Sequence, residues 1–304
     1  MSGAKNKRAG GIPFGERPLG KAVNEYRESP VAVLAFVLLV LILLAAAFAP
    51  LLSSQDPYDL SSLEFMDGTL PPMSAGVAAK VYALGTDEQG RDMVSAILYG
   101  LRTSLFVGFT SAALAFVVGT GLGLTAAYRG GRFDTFLMRV VDLQLSFPAL
   151  LIALILLVVL GQGVDKIIIA LVIVQWAYFA RATRGTALAE RNREYMEAAR
   201  ALRLGTGRII FRHLLPNVMP SIIVILTTQV ARAITTEATL SFLGIGLPIT
   251  KPSLGLLISN GFRYILSGKY WISFYPGIAL VLTIVAINLM GDRLRDVLNP
   301  RLKR

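Results

Sequence analysis

Long apolar stretches separated by short polar segments occupy most of this chain. Residues 31–49 contain 19 consecutive uncharged positions, and a helix of that length extends for about 28 Å, close to the thickness of the hydrocarbon core of a bilayer. Further apolar stretches lie at 104–128, 147–160, 167–180, 221–246 and 272–290. Because these stretches are too long and continuous for barrel strands, they predict an all-α polytopic membrane protein with six transmembrane helices.

The composition agrees with this class. Hydrophobic residues make up 54% of the 304 positions and charged residues 16%, with a mean hydropathy of +0.62, which is unusual for a soluble domain. The absence of cysteine excludes disulfides, thiolate metal sites and cysteine nucleophiles. The first stretch also has features of a secretory signal peptide, but its apolar run and its lead of 30 residues are longer than signal peptides have. We therefore predict a retained helix.

Basic residues indicate how the six helices are oriented. The segments 1–30, 129–142, 181–219 and 291–304 fall on one side and hold 22 of the 30 Lys and Arg residues, whereas the opposite segments hold 7. The positive-inside rule places the richer side, with both chain ends, in the cytoplasm. The net charge of +11 thus reflects topology, and because the basic residues are dispersed along membrane edges we expect no nucleic-acid partner.

This topology divides the chain into a membrane domain and two tails. We expect the 247–271 loop, which prolines and glycines interrupt, to form a broken, partly helical cap. The predicted parts are an N-terminal tail at 1–30, a six-helix domain at 31–292 with external loops at 54–100 and 247–271 and a cytoplasmic loop at 189–219, and a C-terminal tail at 293–304.

A dense cluster of turn-forming and charged residues precedes the second stretch. Gly85 and Gly90 permit tight turns. Asp87, Arg91 and Asp92 can hold the loop through charge-assisted hydrogen bonds. Taken alone, these residues favour a structural turn at the membrane rim over a binding role. The cluster reads LGTDEQGRD at 84–92 and continues with Ser95, Gly100, Arg102, Ser104 and Leu105.

The 189–219 loop is a charged, helix-forming segment between two apolar stretches. It contains Glu197, Ala198 and Ala199 near its start and ends at Leu215 and Pro216. A short helix that ends at a glycine turn, with small alanines on one face, can seat closely in the groove of a partner protein. A basic amphipathic helix lying on anionic membrane lipid is an equal alternative from the residues alone.

Both motifs resemble those of the C-type transmembrane permease subunits of the dipeptide/oligopeptide/nickel ABC importer family. The 84–105 cluster resembles the external-loop signature of that family, and the 197–199 and 215–216 residues resemble its coupling-loop motif at the same spacing. The stretches 237–255 and 276–301 resemble the family as well. The motif has a glycine six positions after its glutamate, where this chain has Arg203, and glycines follow at Gly205 and Gly207. We therefore expect the turn to be shifted or reshaped.

The resemblance implies a type I permease fold and a set of partners. They are a homologous B-type permease, two ABC ATPase subunits docked on the 189–219 loop, and a periplasmic or extracellular solute-binding protein. The chain has no Walker-type Gly-Lys-Ser/Thr loop, so we expect no enzymatic activity, catalytic residue, metal or cofactor here, and ATP and Mg²⁺ in the ATPases. The resemblance also implies that the protein lies in the bacterial cytoplasmic membrane. Peptides are the solute that we expect it to transport, and nickel chelates, glutathione, opines and other small solutes are alternatives.

The fifth apolar stretch carries polar residues outside these motifs. Thr228, Arg232, Thr235 and Thr239 recur at helical spacing and form a stripe on one face. Glu237 lies about 140° around the helix from Arg232, poorly placed to neutralise it, and intramembrane charges usually face a protein interior or a watery cavity. Our hypothesis assigns these five residues to a translocation path, and an acidic group on the partner permease is the alternative contact for Arg232. A hydrogen-bonded threonine seam between helices is an equal alternative.

Two other function classes are disfavoured by the residues. A membrane-embedded hydrolase needs a catalytic constellation within the bilayer, but the only histidine, His213, lies in the 189–219 loop and no paired carboxylates occur in the apolar stretches. A secondary transporter would show ionisable residues in several spans or an inverted repeat, and neither is visible.

Reporter fusions test the predicted topology. Because the positive-inside rule orients the spans, fusions after residues 135, 190 and 304 should report a cytoplasmic location, and fusions after residues 75 and 258 a periplasmic one. A periplasmic signal from the fusion after residue 190 would contradict the six-span arrangement.

Overall fold

The computed structural model describes residues 24–298 apart from positions 60, 62, 78 and 249. Most of the predicted tails, at 1–23 and 299–304, therefore lies outside the described residues. Long helices make up most of the fold, and a small β1–β2 ribbon in the segment before α3 is antiparallel, with Ser74 opposite Tyr82. In chain order the elements are α1 Pro30–Ala47, α2 Ala49–Leu52, β1 Ser74–Ala75, β2 Val81–Tyr82, α3 Met93–Arg129, α4 Gly131–Leu145, α5 Ala149–Leu160, α6 Val164–Arg191, α7 Glu194–Ala201, α8 Thr206–Arg208, a π-helical turn Ile209–Leu214, α9 Leu215–Phe242, α10 Leu254–Phe262 and α11 Trp271–Leu298, with 3-10 turns at Phe65–Asp67 and Ile265–Ser267.

Five helical segments are long and apolar enough to cross a membrane, namely α1, α3, α6, α11 and the continuous segment Thr206–Phe242. The sixth predicted span differs in form from the expectation. Helix α5 has 12 residues, which gives a length of about 18 Å. It is long enough for a sixth span only when it is counted together with α4, and the axes of these two helices meet at a bend of 89°. Helix α4 is amphipathic and buries Leu137 and Val141. Which side of the membrane each loop faces remains a prediction.

Salt bridges hold α4 against α6. Arg184 pairs with Asp134, and the Nη2 atom of the arginine lies 2.7 Å from Oδ2 of the aspartate. Arg181 pairs with Asp142. The segment 129–142 was predicted from its basic residues as a connection between spans. Most of it lies in helix α4.

Several helices extend beyond the apolar stretches that predicted them. Helix α3 begins at Met93, inside the predicted 54–100 loop, because the Asp92 carboxylate accepts hydrogen bonds from the backbone N–H groups of Val94 and Ser95 at 3.4 and 3.1 Å and so caps the helix. Helix α11 continues to Leu298, into the predicted 293–304 tail. Apolar length reports the part of a helix that lies in lipid, whereas helical hydrogen bonding continues until a cap or breaker ends it.

The most extensive packing between helices occurs where α3 meets α6. A Cβ atom at Gly119 would lie 2.3 Å from the carbonyl oxygen of Trp176, and one at Gly123 would lie 2.5 Å from that of Ala180. Glycines spaced by four residues let two membrane helices approach to backbone contact. The same device recurs between α11 and α9, where a Cβ atom at Gly291 would lie 2.4 Å from the Thr227 hydroxyl.

A buried carboxyl group connects α3 to α9. Glu237 is fully buried and accepts hydrogen bonds from the Ser104 and Ser241 hydroxyls, each at 2.7 Å. Because a buried polar group is stable only when it is hydrogen-bonded, this side chain fixes the relative register of the two helices. Ser104 belongs to the part of the 84–105 signature that lies in α3, so one motif residue is explained by packing.

The Glu237 bonds predict a difference between two substitutions. Glu237→Ala leaves both serine hydroxyls without their acceptor and should destabilise the protein by about 1–3 kcal/mol. Glu237→Gln keeps an acceptor oxygen and should have a smaller effect. Thermal denaturation of the purified protein in detergent measures both, and equal melting temperatures for the two variants would contradict the assigned role.

Candidate functional site

The external signature cluster forms a buried ion pair between two left-handed turns. Arg91 and Asp87 are both fully buried, with Nε 2.6 Å from Oδ2. Gly85 and Gly90 have φ angles of 80° and 76°, a region that side chains disfavour. The structure thus has left-handed turns at both glycines and a bond between Asp87 and Arg91, and Asp92 holds the loop by accepting a hydrogen bond from the Ser54 hydroxyl at 3.2 Å and also caps α3.

Hydrogen bonds tie the 54–100 loop to the 247–271 loop. The indole Nε1 of Trp271 donates to the Thr86 carbonyl at 3.2 Å, and Lys269 donates to the Thr69 hydroxyl at 2.6 Å. The Tyr264 hydroxyl donates to Glu88 at 3.0 Å, and this bond raises the pKa of Tyr264. The two loops therefore form one connected unit at the start of α11.

Helix α7 of the 189–219 loop is anchored to the membrane helices by its apolar face. Met196 and Ala199 are buried in a cluster with Leu124, Phe179 and Ile222, which come from α3, α6 and α9. The prediction that Ala199 shares an exposed docking face with its neighbour is therefore wrong. Adjacent residues lie about 100° apart on a helix, and only one of the two alanines can face away from the anchor.

The opposite face of α7 is open. Glu197 and Ala198 are exposed, and two apolar side chains that the sequence reasoning did not select, Leu202 and Phe211, are 74% and 69% exposed. Burial raises the pKa of Tyr195 to about 12, with help from the hydrogen bond that its hydroxyl donates to Glu190 at 2.9 Å. The loop thus combines a fixed inner face with a polar and apolar outer face.

The turn after α7 keeps the geometry that a glycine would give it. Arg203 has a φ of 50°, its N–H donates to the Arg200 carbonyl at 2.9 Å, and the Leu204 N–H donates to the Ala199 carbonyl at 3.2 Å. This pair of bonds is the Schellman ending of a helix, whose left-handed position glycine usually fills. The expectation of a shifted turn is therefore wrong. Gly205 has a φ of −59° and does not replace the missing glycine.

The end of the motif marks the start of α9. Pro216 lies in the first turn of α9, next to Leu215. Proline cannot donate a backbone hydrogen bond, and its ring crowds the preceding turn. The residues just before it, Ile209–Leu214, accordingly form a wider π-helical turn.

A polar cavity of about 410 Å³ lies between α5, α6, α9 and α11. Three residues of the predicted stripe line it, namely Thr228, Arg232 and Thr235, whereas Thr239 does not. The guanidinium carbon of Arg232 lies 5.5 Å from the centre of the Tyr178 ring. Glu237 points to the α3 side instead and is fully buried, so it does not belong with the three cavity-lining residues.

Polar residues on neighbouring helices complete the cavity and were missed in the sequence reasoning. They are Gln175 and Tyr178 on α6, Gln229 next to the stripe on α9, and Asn288 on α11. Gln175 and Gln229 are isolated amides within apolar stretches. An isolated amide of this kind can be found in the sequence and indicates a cavity or a contact, because a polar group in a membrane span needs a protein or solute partner.

The geometry at Arg203 predicts that Arg203→Gly stabilises the loop. A non-glycine residue in the left-handed region costs about 1 kcal/mol, so the substitution should raise the hydrogen-exchange protection of the Leu204 amide about fivefold. Ala201→Gly, at the last helical residue of α7, is the matched control and should lower protection. A decrease with Arg203→Gly would contradict the assigned turn.

Comparison with known sequences places this geometry in a family. Residues 119–304 match the family described as "Binding-protein-dependent transport system inner membrane component", and residues 18–72 match the "N-terminal TM domain of oligopeptide transport permease C". The chain is 38% identical to the oligopeptide transport system permease protein OppC of Bacillus subtilis (strain 168) over 93% of its own length and 90% of that protein. It is 36% identical to the di/tripeptide transport system permease protein DppC of Pseudomonas aeruginosa (strain UCBPP-PA14), over 94% and 93%.

Solved structures support the fold. The chain is similar to two structures of the MetNI methionine ABC transporter in inward-facing conformations, with TM-scores of 0.54 and 0.57 and identities of 21% and 19%. The similarity covers 67% and 68% of this chain, and 96% and 98% of those chains. The OppC and DppC relatives are transport permeases and not enzymes, and together with the apolar helices they indicate a multi-pass inner-membrane protein. The chain therefore belongs to the family of binding-protein-dependent transport system inner membrane components, in its permease C branch.

Proposed function

We propose that this chain is the C-type permease of an ATP-driven importer for peptides or similar small solutes. It forms the translocation path with a B-type permease, receives solute from a solute-binding protein and docks two ABC ATPases through the 189–219 loop. Both of its termini lie in the cytoplasm. ATP and Mg²⁺ are held by the ATPases, and this chain contributes movement of its helices.

The observation that carries this proposal is the construction of α7. One face is buried against three membrane helices through Met196 and Ala199, and the other presents Glu197 to solvent. A helix that is fixed on one side and open on the other can transmit a displacement, because well-packed side chains do not deform continuously. A helix that merely lay on lipid would turn its apolar residues toward the membrane surface, whereas here they enter the protein core.

The proposed movement follows the packing of this anchor. Displacement of α7 by a closing ATPase pair would press on Leu124 of α3, Phe179 of α6 and Ile222 of α9. Two of these helices, α6 and α9, also line the polar cavity. The loop and the cavity are therefore mechanically connected through the same helices.

Charge reversal at Glu197 tests the docking role. Glu197 forms no ion pair within the described part of the chain, so Glu197→Lys should leave the fold intact. At an interface, losing a partly buried charge contact typically costs about 2–5 kcal/mol. We expect solute uptake to be abolished while the subunit still inserts and still copurifies with its sister permease.

The matched control is Asp165→Lys, which reverses an exposed carboxylate at the other end of α6. Asp165 pairs only with the neighbouring Lys166, at 3.0 Å and with both side chains largely exposed, and such surface pairs contribute little. Uptake should therefore persist in this variant. Normal uptake by Glu197→Lys, with ATPases bound as in the wild type, would show that α7 is not the coupling element.

A further inference from the structure

The polar cavity contains buried amide atoms that lack a hydrogen-bond partner. Gln175 and Gln229 are 4% and 2% exposed. The Gln175 Oε1 and the Gln229 Nε2 form no hydrogen bond within the described residues. Burying such a group without a partner is unfavourable. Both atoms are closed to solvent, so a solute in the cavity can reach this acceptor and this donor only when the two side chains turn toward it.

Arg232 is a cation that has no counter-ion in the part of the chain that the structure describes. Among the described residues no carboxylate forms a salt bridge with it, and its contact is the face of the Tyr178 ring. The guanidinium group binds carboxylates through two parallel N–H bonds. An intramembrane arginine is unfavourable unless it meets water or an anion, so the cavity is built to receive negative charge at this point.

The threonines of the stripe present only acceptors to the cavity. The Thr228 hydroxyl donates to the Ile225 carbonyl and the Thr235 hydroxyl donates to the Ala231 carbonyl, each at 2.9 Å. Because a hydroxyl has one hydrogen, its remaining lone pairs can accept but not donate. The stripe therefore complements N–H groups, next to a guanidinium that complements a carboxylate.

We propose that this cavity binds a peptide in transit and recognises its main-chain groups. Arg232 binds the C-terminal carboxylate, and Thr228 and Thr235 accept hydrogen bonds from peptide N–H groups. Gln175 and Gln229 add an acceptor and a donor when their side chains turn toward the peptide. The volume of about 410 Å³ falls within the usual range of small-molecule sites. The inference rests on the proposed import function and adds a solute site within this subunit.

Paired substrates isolate the role of Arg232. The complete transporter, with both permeases, ATPases and binding protein, is reconstituted in proteoliposomes, and uptake of tri-alanine is compared with uptake of its C-terminal amide. For each variant, the uptake of the amide is divided by the uptake of the acid, and this amide-to-acid ratio is then divided by the ratio of the wild type. The second division cancels any preference of the solute-binding protein for one of the two peptides. Wild-type uptake of tri-alanine tests the import function separately: if the wild type takes up neither peptide, the import function itself fails.

Loss of the guanidinium should change this ratio. Hydrogen bonds to a charged group contribute about 1.5–3 kcal/mol, so Arg232→Ala should reduce tri-alanine uptake on the order of tenfold or more, and uptake of the amide much less. The normalised ratio should then rise by about the same factor. Arg232→Lys keeps the charge but not the paired donors and should give an intermediate ratio.

A second pair of variants tests the acceptor stripe independently of assembly. Thr235→Val removes an acceptor from the cavity and should raise the KM for both peptides severalfold. Thr125→Val is the matched control, because its hydroxyl donates to its own helix in the same way, to the Gly121 carbonyl at 2.7 Å, outside the cavity. Its KM should equal that of the wild type.

Two outcomes would overturn the proposal while the wild type imports peptide. An unchanged amide-to-acid ratio in Arg232→Ala would show that Arg232 does not bind the carboxylate. Failure of Arg232→Ala to copurify with the sister permease, with Arg232→Lys assembling normally and Thr235→Val indistinguishable from Thr125→Val, would show that the arginine pairs with an acidic group of the partner permease.

Discussion

The close contact between α3 and α6 is the constraint on which the rest of the structure depends. Gly119 and Gly123 allow the α6 backbone to reach that of α3, and membrane helices that lack a hydrophobic driving force associate through such contacts. Helix α6 then contributes Phe179 to the anchor of α7 and Gln175 to the polar cavity. A larger residue at either glycine would separate α3 from α6 and disturb both features together.

The apolar pattern predicted the membrane class and most of the spans, because the bilayer imposes length and polarity on any helix that crosses it. It predicted helix ends less well. The Asp92 cap starts α3 inside a segment that reads as a loop, and the bend between α4 and α5 has no signature in hydropathy. Polarity along the chain reports the surroundings of a helix, and local hydrogen bonds decide where it begins.

The candidate site was predictable where a residue type has one physical use, as with the left-handed Gly85 and Gly90. It was less predictable where tertiary packing chooses between alternatives. Ala199 is small enough for either face of α7, and the core decides its direction. Glu237 was grouped with Arg232 by position in the sequence, but Ser104 on another helix supplies its partner. At Arg203 the backbone keeps the turn although the favoured residue is missing, because the two closing bonds remain available.

Helix α11 joins parts of the molecule that are distant from each other. Its first residue, Trp271, is hydrogen-bonded to the signature loop, Ile284 and Asn288 line the polar cavity, and Gly291 packs against the Thr227 side chain of α9. A helix held at one end and in contact at two further points cannot tilt without changing all three contacts. In the proposed import function, the tilt of this one helix would therefore link the position of the 54–100 loop to the width of the cavity, so that opening at one end of the path and closing at the other can be a single motion.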